Sequence, residues 1–334
     1  MCPTYINFVI VFIMILINCA NCQSVSVIWS NFQQYMKSFD FFDFSLYRKQ
    51  LMGVSILLIM LFHVRFIDFG FVGVEFFLLI SAIGLYFSLK KNSKLSTFYK
   101  KRLFRILPTY LIVAIPFFLF VHRHGFRLAN YLYDLSGLCI LDSRITFWFI
   151  TQILLCYLVA PFYFRILGNR YSIIVPFIAL LLGYLLGTYV PELEILSNRF
   201  AIFFMGLHLA GLVYEKKRIE GPWIVPVGVI ALILIIVVAS SPIQLGLKCV
   251  SFFFLSIPAL MLITMALKYC PPVIHTVFVF LGGLTLELYM LHENICFYML
   301  SKYMGYTAGA VLSFPLCILL AYLLSKTTKP LFRQ

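Results

Sequence analysis

Apolar residues dominate this chain in long runs that are separated by short polar segments. Because a membrane-spanning helix needs about 20 predominantly apolar residues, each run from residue 51 onward predicts one span. The candidate spans are 51–68, 71–89, 106–121, 146–164, 172–190, 199–214, 222–240, 247–268, 273–292 and 304–325. The longest gap, 122–145, has room for one short amphipathic helix and for no soluble domain. We therefore predict an all-α integral membrane protein, a bundle of about ten transmembrane helices.

A further apolar run covers residues 6–19, and no basic residue precedes it. A secretory signal peptide begins with a positively charged stretch, so this run is better interpreted as an extra, marginal span with its N-terminus outside. The alternative, that translation begins downstream of the run, stays open. We divide the chain into an N-terminal extension, 1–45, and a transmembrane domain, 46–331.

Composition changes the picture by excluding a water-soluble protein. Of the 334 residues, 63% are apolar and only 11% are charged, whereas about 25% of an ordinary soluble domain is charged. The formal net charge is +14, but the basic residues fall in short clusters between apolar runs, such as Lys100, Lys101, Arg102 and Arg105. Such clusters are typical of cytoplasmic loops. We therefore expect no nucleic-acid partner.

Counting Lys and Arg over alternate loops gives the orientation. More Lys and Arg residues fall on the side that holds residues 46–50 and the C-terminus than on the other side. The positive-inside rule assigns that side to the cytoplasm. The sequence thus predicts a multi-pass protein of the cytoplasmic membrane. Nine cysteines are scattered along the chain; Cys19 and Cys22 form a lone C-x-x-C without a second pair, and we expect no metal ion.

His63 and Glu75 are ionisable residues inside predicted spans, where such groups are expensive and usually functional. His63 lies in the outer half of span 51–68, and Glu75 lies at a similar depth on the next, antiparallel span. Histidine can act as a general base near neutral pH, and a carboxylate can orient its imidazole. The structural alternatives are an interfacial histidine bonded to a carbonyl and an acid that reaches the membrane surface.

A third polar feature is the stripe formed by Thr285, Tyr289 and His292. Their spacings of four and three place them on one face of a helix, with Glu287 pointing elsewhere. Such a stripe should face the interior of the bundle. Hydrogen bonding between helices is the structural alternative.

These segments together resemble the acyltransferase 3 family of membrane-bound O-acyltransferases. The resemblance runs from about Leu46 to Leu331 and is strongest in LMGVSILLIMLFH, GVEFFLLISAIGLYFSLKK, FYKKRLFRILPTYLIV and LTLELYMLH. A weaker match surrounds Trp148 and Pro161. The resemblance implies transfer of an acyl group, usually acetyl, from cytoplasmic acyl-CoA to a hydroxyl of a cell-surface or lipid-linked polysaccharide.

Site residues follow from this resemblance position by position. His63 takes the place of the catalytic histidine and Glu75 that of the family's acid. Arg102 and Arg105 match its R-x-x-R-I-x-P element, and two guanidinium groups on one helix face can grip phosphate. We expect Trp148, Tyr289 and His292 to line the acceptor side.

One departure concerns the donor. The family commonly has an arginine 11 residues before the histidine, and that position is Met52 here. Lys49 lies about one turn further towards the cytoplasm on nearly the same face, so we expect Lys49 to supply the cation for the CoA phosphates.

Two mechanisms stay open from the sequence: His63 as general base for the acceptor hydroxyl, or an acyl-histidine intermediate. The rival function is a polysaccharide exporter, polymerase or flippase without acyl chemistry. Broken helices and paired half-repeats would favour such a transporter, and the sequence indicates neither.

Overall fold

The computed structural model describes residues 37–92 and 94–328. The predicted span 6–19 and the Cys19–Cys22 pair lie outside the described residues. The description therefore begins just before the transmembrane domain predicted from residue 46.

Helices form almost all of the described part, and short connections join them. The α-helices are α1 (Asp43–Leu46), α2 (Arg48–His63), α3 (Gly73–Lys91), α4 (Leu95–Val121), α5 (Leu128–Leu135), α6 (Trp148–Ile166), α7 (Ile174–Tyr189), α8 (Glu194–Ser197), α9 (Phe200–Tyr214), α10 (Ile224–Ser240), α11 (Leu245–Leu267), α12 (Pro272–Gly282), α13 (Thr285–Leu291), α14 (Tyr298–Met304) and α15 (Tyr306–Thr328). Strands β1 (Ser38–Asp40) and β2 (Arg218–Glu220) pair antiparallel, with Phe39 opposite Ile219. Tight 3₁₀ turns occupy Phe69–Val72, Leu138–Asp142, Arg170–Ile173 and Pro191–Leu193, and a wider π turn occupies His292–Phe297.

The prediction of an all-α membrane protein is confirmed, whereas the count of ten spans is not. Within the described residues, seven helices are long and apolar enough to cross a membrane, or eight if a bent pair is counted as one span. The difference lies in α2 and α10, which have only 16 and 17 residues. At 1.5 Å per residue they are about 24–26 Å long, which is short of the ~30 Å hydrocarbon core.

Helix α2 ends earlier than the hydropathy pattern predicts. The predicted span continues to residue 68, but the helix stops at His63 because the chain turns back on itself there. The N–H of Phe66 donates to the carbonyl of Leu61 at 2.9 Å, and the N–H of Arg65 donates to that of Phe62 at 2.9 Å. This pair of bonds is the Schellman arrangement. Arg65 takes the left-handed conformation that glycine usually occupies, with φ 52°.

Glycines bring α2 and α12 into backbone contact. A Cβ on Gly53 would collide with the backbone of Phe278, and a Cβ on Gly282 would collide with the carbonyl of Lys49. Small residues at a crossing are the usual means by which membrane helices approach closely. The contact fixes α2, and therefore His63, against the helix pair that carries the polar stripe.

The span predicted as one helix over 273–292 is broken. Helix α12 and the helical stretch Thr285–Met304 meet at an angle of 66° across Gly283 and Leu284. The second half then continues through the π turn into α14. The break directs α13 and His292 into the bundle.

Helix α3 lies at the centre of the bundle. In its most apolar window 72% of the residues are buried, against 22% for the span of α15. Its packing partners include α2 and α9. The exposed apolar side chains of the outer helices form the surface that lipid covers.

Candidate functional site

Two histidines face each other at the end of α2. The ring centroids of His63 and His292 are 4.8 Å apart. The Nδ1 atom of His63 lies 3.6 Å from Oε2 of Glu293, the residue that follows His292. A small pocket, with room for about one water molecule, opens beside the two rings. Its remaining walls are Met60, Val64, Phe297, Ser313 and Phe314.

The backbone fixes the tautomer of His292. Its Nδ1 atom lies 2.9 Å from the carbonyl oxygen of Tyr289 and 3.1 Å from that of Leu288. Because a carbonyl oxygen can only accept, Nδ1 carries the hydrogen and Nε2 carries the lone pair. The residue is 4% exposed, and Nε2 has no hydrogen-bond partner among the described residues. A buried basic nitrogen is thus present at the pocket.

The π turn explains why both His292 and Glu293 reach His63. In a regular α-helix, neighbouring side chains point about 100° apart, so two consecutive residues do not share a target. The wider i→i+5 turn over His292–Phe297 reduces this angle. Within this turn, the carboxylate of Glu293 and the imidazole of His292 both reach His63.

Glu75 lies in the first turn of α3, and its ion pair is with Arg199 rather than with His63. The Nε atom of Arg199 is 3.3 Å from Oε1 of Glu75, and the two side chains are 0% and 2% exposed. The carboxylate found beside His63 is that of Glu293. Glu75 therefore pairs with Arg199, and His63 pairs with Glu293, in place of the predicted contact between Glu75 and His63.

Trp148 and Phe71 enclose the guanidinium group of Arg199. The centre of that group is 4.4 Å from the ring of Phe71 and 4.8 Å from that of Trp148. Such stacking stabilises a cation that is removed from water. Trp148 therefore supports a buried charge, which adds a structural role to its predicted place on the acceptor side.

Tyr289 joins the polar stripe to the start of α6. Its hydroxyl accepts a hydrogen bond from the N–H of Phe149 at 3.0 Å, and its ring centroid is 5.8 Å from that of His292. The predicted shared face of Tyr289 and His292 is therefore present in the fold.

Glu287, which was predicted to point away from the polar stripe, is directed into the protein towards α4. Its side chain is fully buried, and Oε1 lies 3.8 Å from Nη1 of Arg105. This pair connects α13 to α4 at the basic end of the bundle. Arg105, one of the two predicted donor-binding arginines, is thus held by a buried carboxylate.

Cations cluster at the opposite end of α2 from His63. The guanidinium group of Arg48 lies against Gly84 of α3. A Cβ added to Gly84 would be 2.6 Å from Nη1 of Arg48. Arg48 also lies close enough to Arg102 for their charges to interact. Arg102 is half-buried between the rings of Phe98 and Tyr157, at 5.6 and 5.9 Å.

Lys49, the predicted cation for the donor, is exposed. The neighbouring Arg48 is half-buried and extends into the bundle. The cation found near Arg102 is therefore Arg48.

Sequence reasoning missed Arg48, Arg199, Glu287 and Glu293. Arg48 and Arg199 entered the sequence analysis only through the count of basic residues, and the signal available for Arg199 was a lone arginine at the start of an apolar run. Glu293 directly follows a predicted site residue, but only the π turn makes it a neighbour of His63.

The fold and the pocket define a polytopic membrane protein with a histidine pair beside a carboxylate and a cationic cluster at the other end of the same helix. The family model for the acyltransferase domain matches residues 25–326, and the chain belongs to the acyltransferase 3 family. A search of curated proteins and a search of solved structures each returned no match. The chain is therefore an acyltransferase of the membrane.

Proposed function

We propose that the protein transfers an acyl group, acetyl in the first instance, from acyl-CoA to a hydroxyl of a cell-surface or lipid-linked polysaccharide. His63 takes the proton of the acceptor hydroxyl as its oxygen attacks the thioester carbonyl. The new C–O ester bond forms, the C–S bond breaks, and the proton on His63 passes to the CoA thiolate. The reaction as written needs no metal ion.

The observation that carries this proposal is the position of His63. It is the last residue of α2, so the carbonyl end of the helix and the carboxylate of Glu293 both favour a positive charge on its ring. Helix C-termini stabilise cations by about 0.3–1 kcal/mol at exposed sites and by more in partly buried ones. These two groups therefore offset part of the cost of forming an imidazolium at this partly buried position.

The donor is proposed to lie along α2. Arg48 and His63 are the two ends of this helix, about 22 Å apart at 1.5 Å per residue. That separation suits an extended CoA with its phosphates at Arg48, Arg102 and Arg105 and its thioester at His63. Given the positive-inside orientation, the phosphates bind from the cytoplasm and the acceptor reaches the other end.

Arg48 and Lys49 form a matched pair for testing this placement. We expect Arg48→Ala to raise the apparent KM for acetyl-CoA by about ten- to a hundred-fold, because a charge-assisted contact contributes roughly 1.5–3 kcal/mol. Lys49→Ala, which removes an exposed cation, should leave KM nearly unchanged. If Lys49→Ala raised KM more than Arg48→Ala does, Lys49 would be the residue that binds the phosphates, as predicted from the sequence.

The transporter alternative has one observation in its favour, the broken span α12–α13. Transporters of that kind carry a second, related break in the other half of the chain. The described residues contain one such pair. Together with membership of an acyltransferase family, this favours group transfer over a flippase.

The test is release of CoA from labelled acetyl-CoA by the purified protein, followed by detection of O-acetyl signals in the polysaccharide by NMR. His63→Ala should abolish release, whereas His208→Ala, at a histidine bonded to Tyr163 elsewhere in the bundle, should not. Full release in the His63→Ala protein would refute the role of His63. Rapid denaturation near neutral pH should recover no label on the protein if His63 acts as a base, and label on His63 would instead support the acyl-histidine route.

A further inference from the structure

His63, His292 and Glu293 form a cluster with the composition of a transition-metal site. One ligand atom from each, two imidazole nitrogens and one carboxylate oxygen, can be chosen so that all lie within 4.8 Å of one another. Two histidines and one glutamate are a known ligand set for zinc, which completes its shell with water or another small ligand. We infer that this cluster binds Zn²⁺, and that the bound ion inhibits the enzyme.

His292 is already arranged as a metal ligand. Metal-binding histidines almost always donate their second ring N–H to a carbonyl or carboxylate, which fixes the lone pair on the ligating nitrogen. Here Nδ1 donates to the carbonyls of Tyr289 and Leu288, and the buried Nε2 lacks a partner within residues 37–92 and 94–328. An unpaired buried nitrogen costs free energy, and coordination would satisfy it.

The ligand atoms of His63, His292 and Glu293 must move slightly closer together to bind one zinc ion. Ligand atoms on a tetrahedral zinc at 2.0–2.2 Å are about 3.3 Å from each other. Nδ1 of His63 and Oε2 of Glu293 are already 3.6 Å apart. The side chain of Glu293 is 47% exposed, so it has space to rotate towards the two rings.

The pocket supplies the open coordination position. It is bordered by both histidines and partly open to solvent, so an ion can enter and a water or chloride can complete its shell. Cys296 also lies in the π turn, but it is not among the residues that line the pocket. The nitrogen and oxygen ligands are therefore the ones available.

Inhibition rests on the proposed function, because an ion on His63 occupies the lone pair that would accept the proton of the acceptor hydroxyl. Binding itself does not depend on that function. The two claims can thus be tested separately on the same preparation.

The binding experiment uses Co²⁺ as a spectroscopic probe with the purified full-length protein in detergent. We expect the intense visible bands of four- or five-coordinate Co²⁺, which Zn²⁺ displaces. His292→Ala and His63→Ala should each weaken binding by more than about a hundred-fold, since loss of even an outer-shell partner costs ten- to a hundred-fold. Glu293→Gln, which keeps the volume and removes the charge, should weaken it as well, and His208→Ala should bind as the unaltered protein does.

Folding of each variant is checked by its melting temperature without metal and by size-exclusion chromatography. Added Zn²⁺ should raise the melting temperature of the unaltered protein and of His208→Ala only. Weak, featureless bands of six-coordinate Co²⁺, a near-ultraviolet thiolate band, or unchanged affinity in folded His292→Ala would each overturn the inference.

Inhibition is then read from CoA release. Zn²⁺ should stop release by the unaltered protein, and a chelator should restore it. Active protein that binds Co²⁺ at these residues yet ignores or is activated by Zn²⁺ would overturn the inhibitory role. Absence of any CoA release would count against the proposed function and leave the spectroscopic result standing.

Discussion

The buried pair Glu75–Arg199 gives the sharpest test of what holds the centre of the bundle together. At a separation of 3.3 Å, two unit charges in an effective dielectric of 20 attract with about 5 kcal/mol. Arg199 also stacks on Phe71 and Trp148. Each such contact contributes about 2 kcal/mol when it is desolvated.

Removing one member of the pair leaves the other as an uncompensated buried charge. We expect Glu75→Gln, which preserves shape, to lower the free energy of unfolding by about 3–5 kcal/mol. Arg199→Met should cost at least as much, because it also removes the ring contacts. The double variant Glu75→Gln/Arg199→Met should cost several kcal/mol less than the sum, since neither charge is then left alone.

The assay is reversible unfolding in mixed micelles of dodecyl maltoside and sodium dodecyl sulfate, followed by far-ultraviolet circular dichroism. The four proteins form a double-mutant cycle, and the exposed pair Lys217–Glu215 provides a control cycle in which little coupling is expected. Additivity within about 0.5 kcal/mol for Glu75 and Arg199 would refute the reasoning. Recovery of CoA release in the double variant would further show that Glu75 is not needed at His63.

Other predictions follow from the turns and crossings that fix the site. Arg65→Gly should raise the free energy of unfolding by up to ~1 kcal/mol, because glycine adopts the left-handed conformation without the cost of 1–2 kcal/mol. Gly282→Val should lower it by at least 1–3 kcal/mol through collision of α12 with α2, as measured by the same micelle assay. Tyr289→Phe should cost about 1–3 kcal/mol, because the N–H of Phe149 loses its acceptor.

The controls for these variants come from the same chain. Gly125→Val, where a Cβ would meet nothing within 4 Å, should leave stability almost unchanged. If Arg65→Gly lowers the free energy of unfolding, the arginine side chain must contribute more stability than its left-handed backbone conformation costs. Equal stability of Gly282→Val and Gly125→Val would show that α2 and α12 separate easily.

The fold was largely predictable because hydropathy reports directly on contact with lipid. Long apolar runs identified every major helix, and the same signal could not detect where helices stop or bend. The end of α2 at His63 depends on a turn formed by Arg65, a residue type that rarely takes that conformation. The break at Gly283 lies inside an unbroken apolar run and depends on packing against neighbouring helices.

The candidate site was predictable to the level of individual residues but not of their pairing. His63 and His292 stood out because polar groups inside apolar runs are rare. Partners were harder to assign, because a regular helix was assumed throughout. That assumption left Glu293 without a role, and Glu287 was placed on a different face from the polar stripe without a partner.

The π turn at His292–Phe297 also affects how related chains should be aligned. It holds one residue more than a regular turn, so it rotates everything after it by about 100° relative to α13. A relative that lacks this residue would present a different face of α14 to the bundle while keeping its histidine in place. Alignments across this region therefore need a gap within 292–297, and faces inferred for Tyr298 and beyond depend on where that gap is placed.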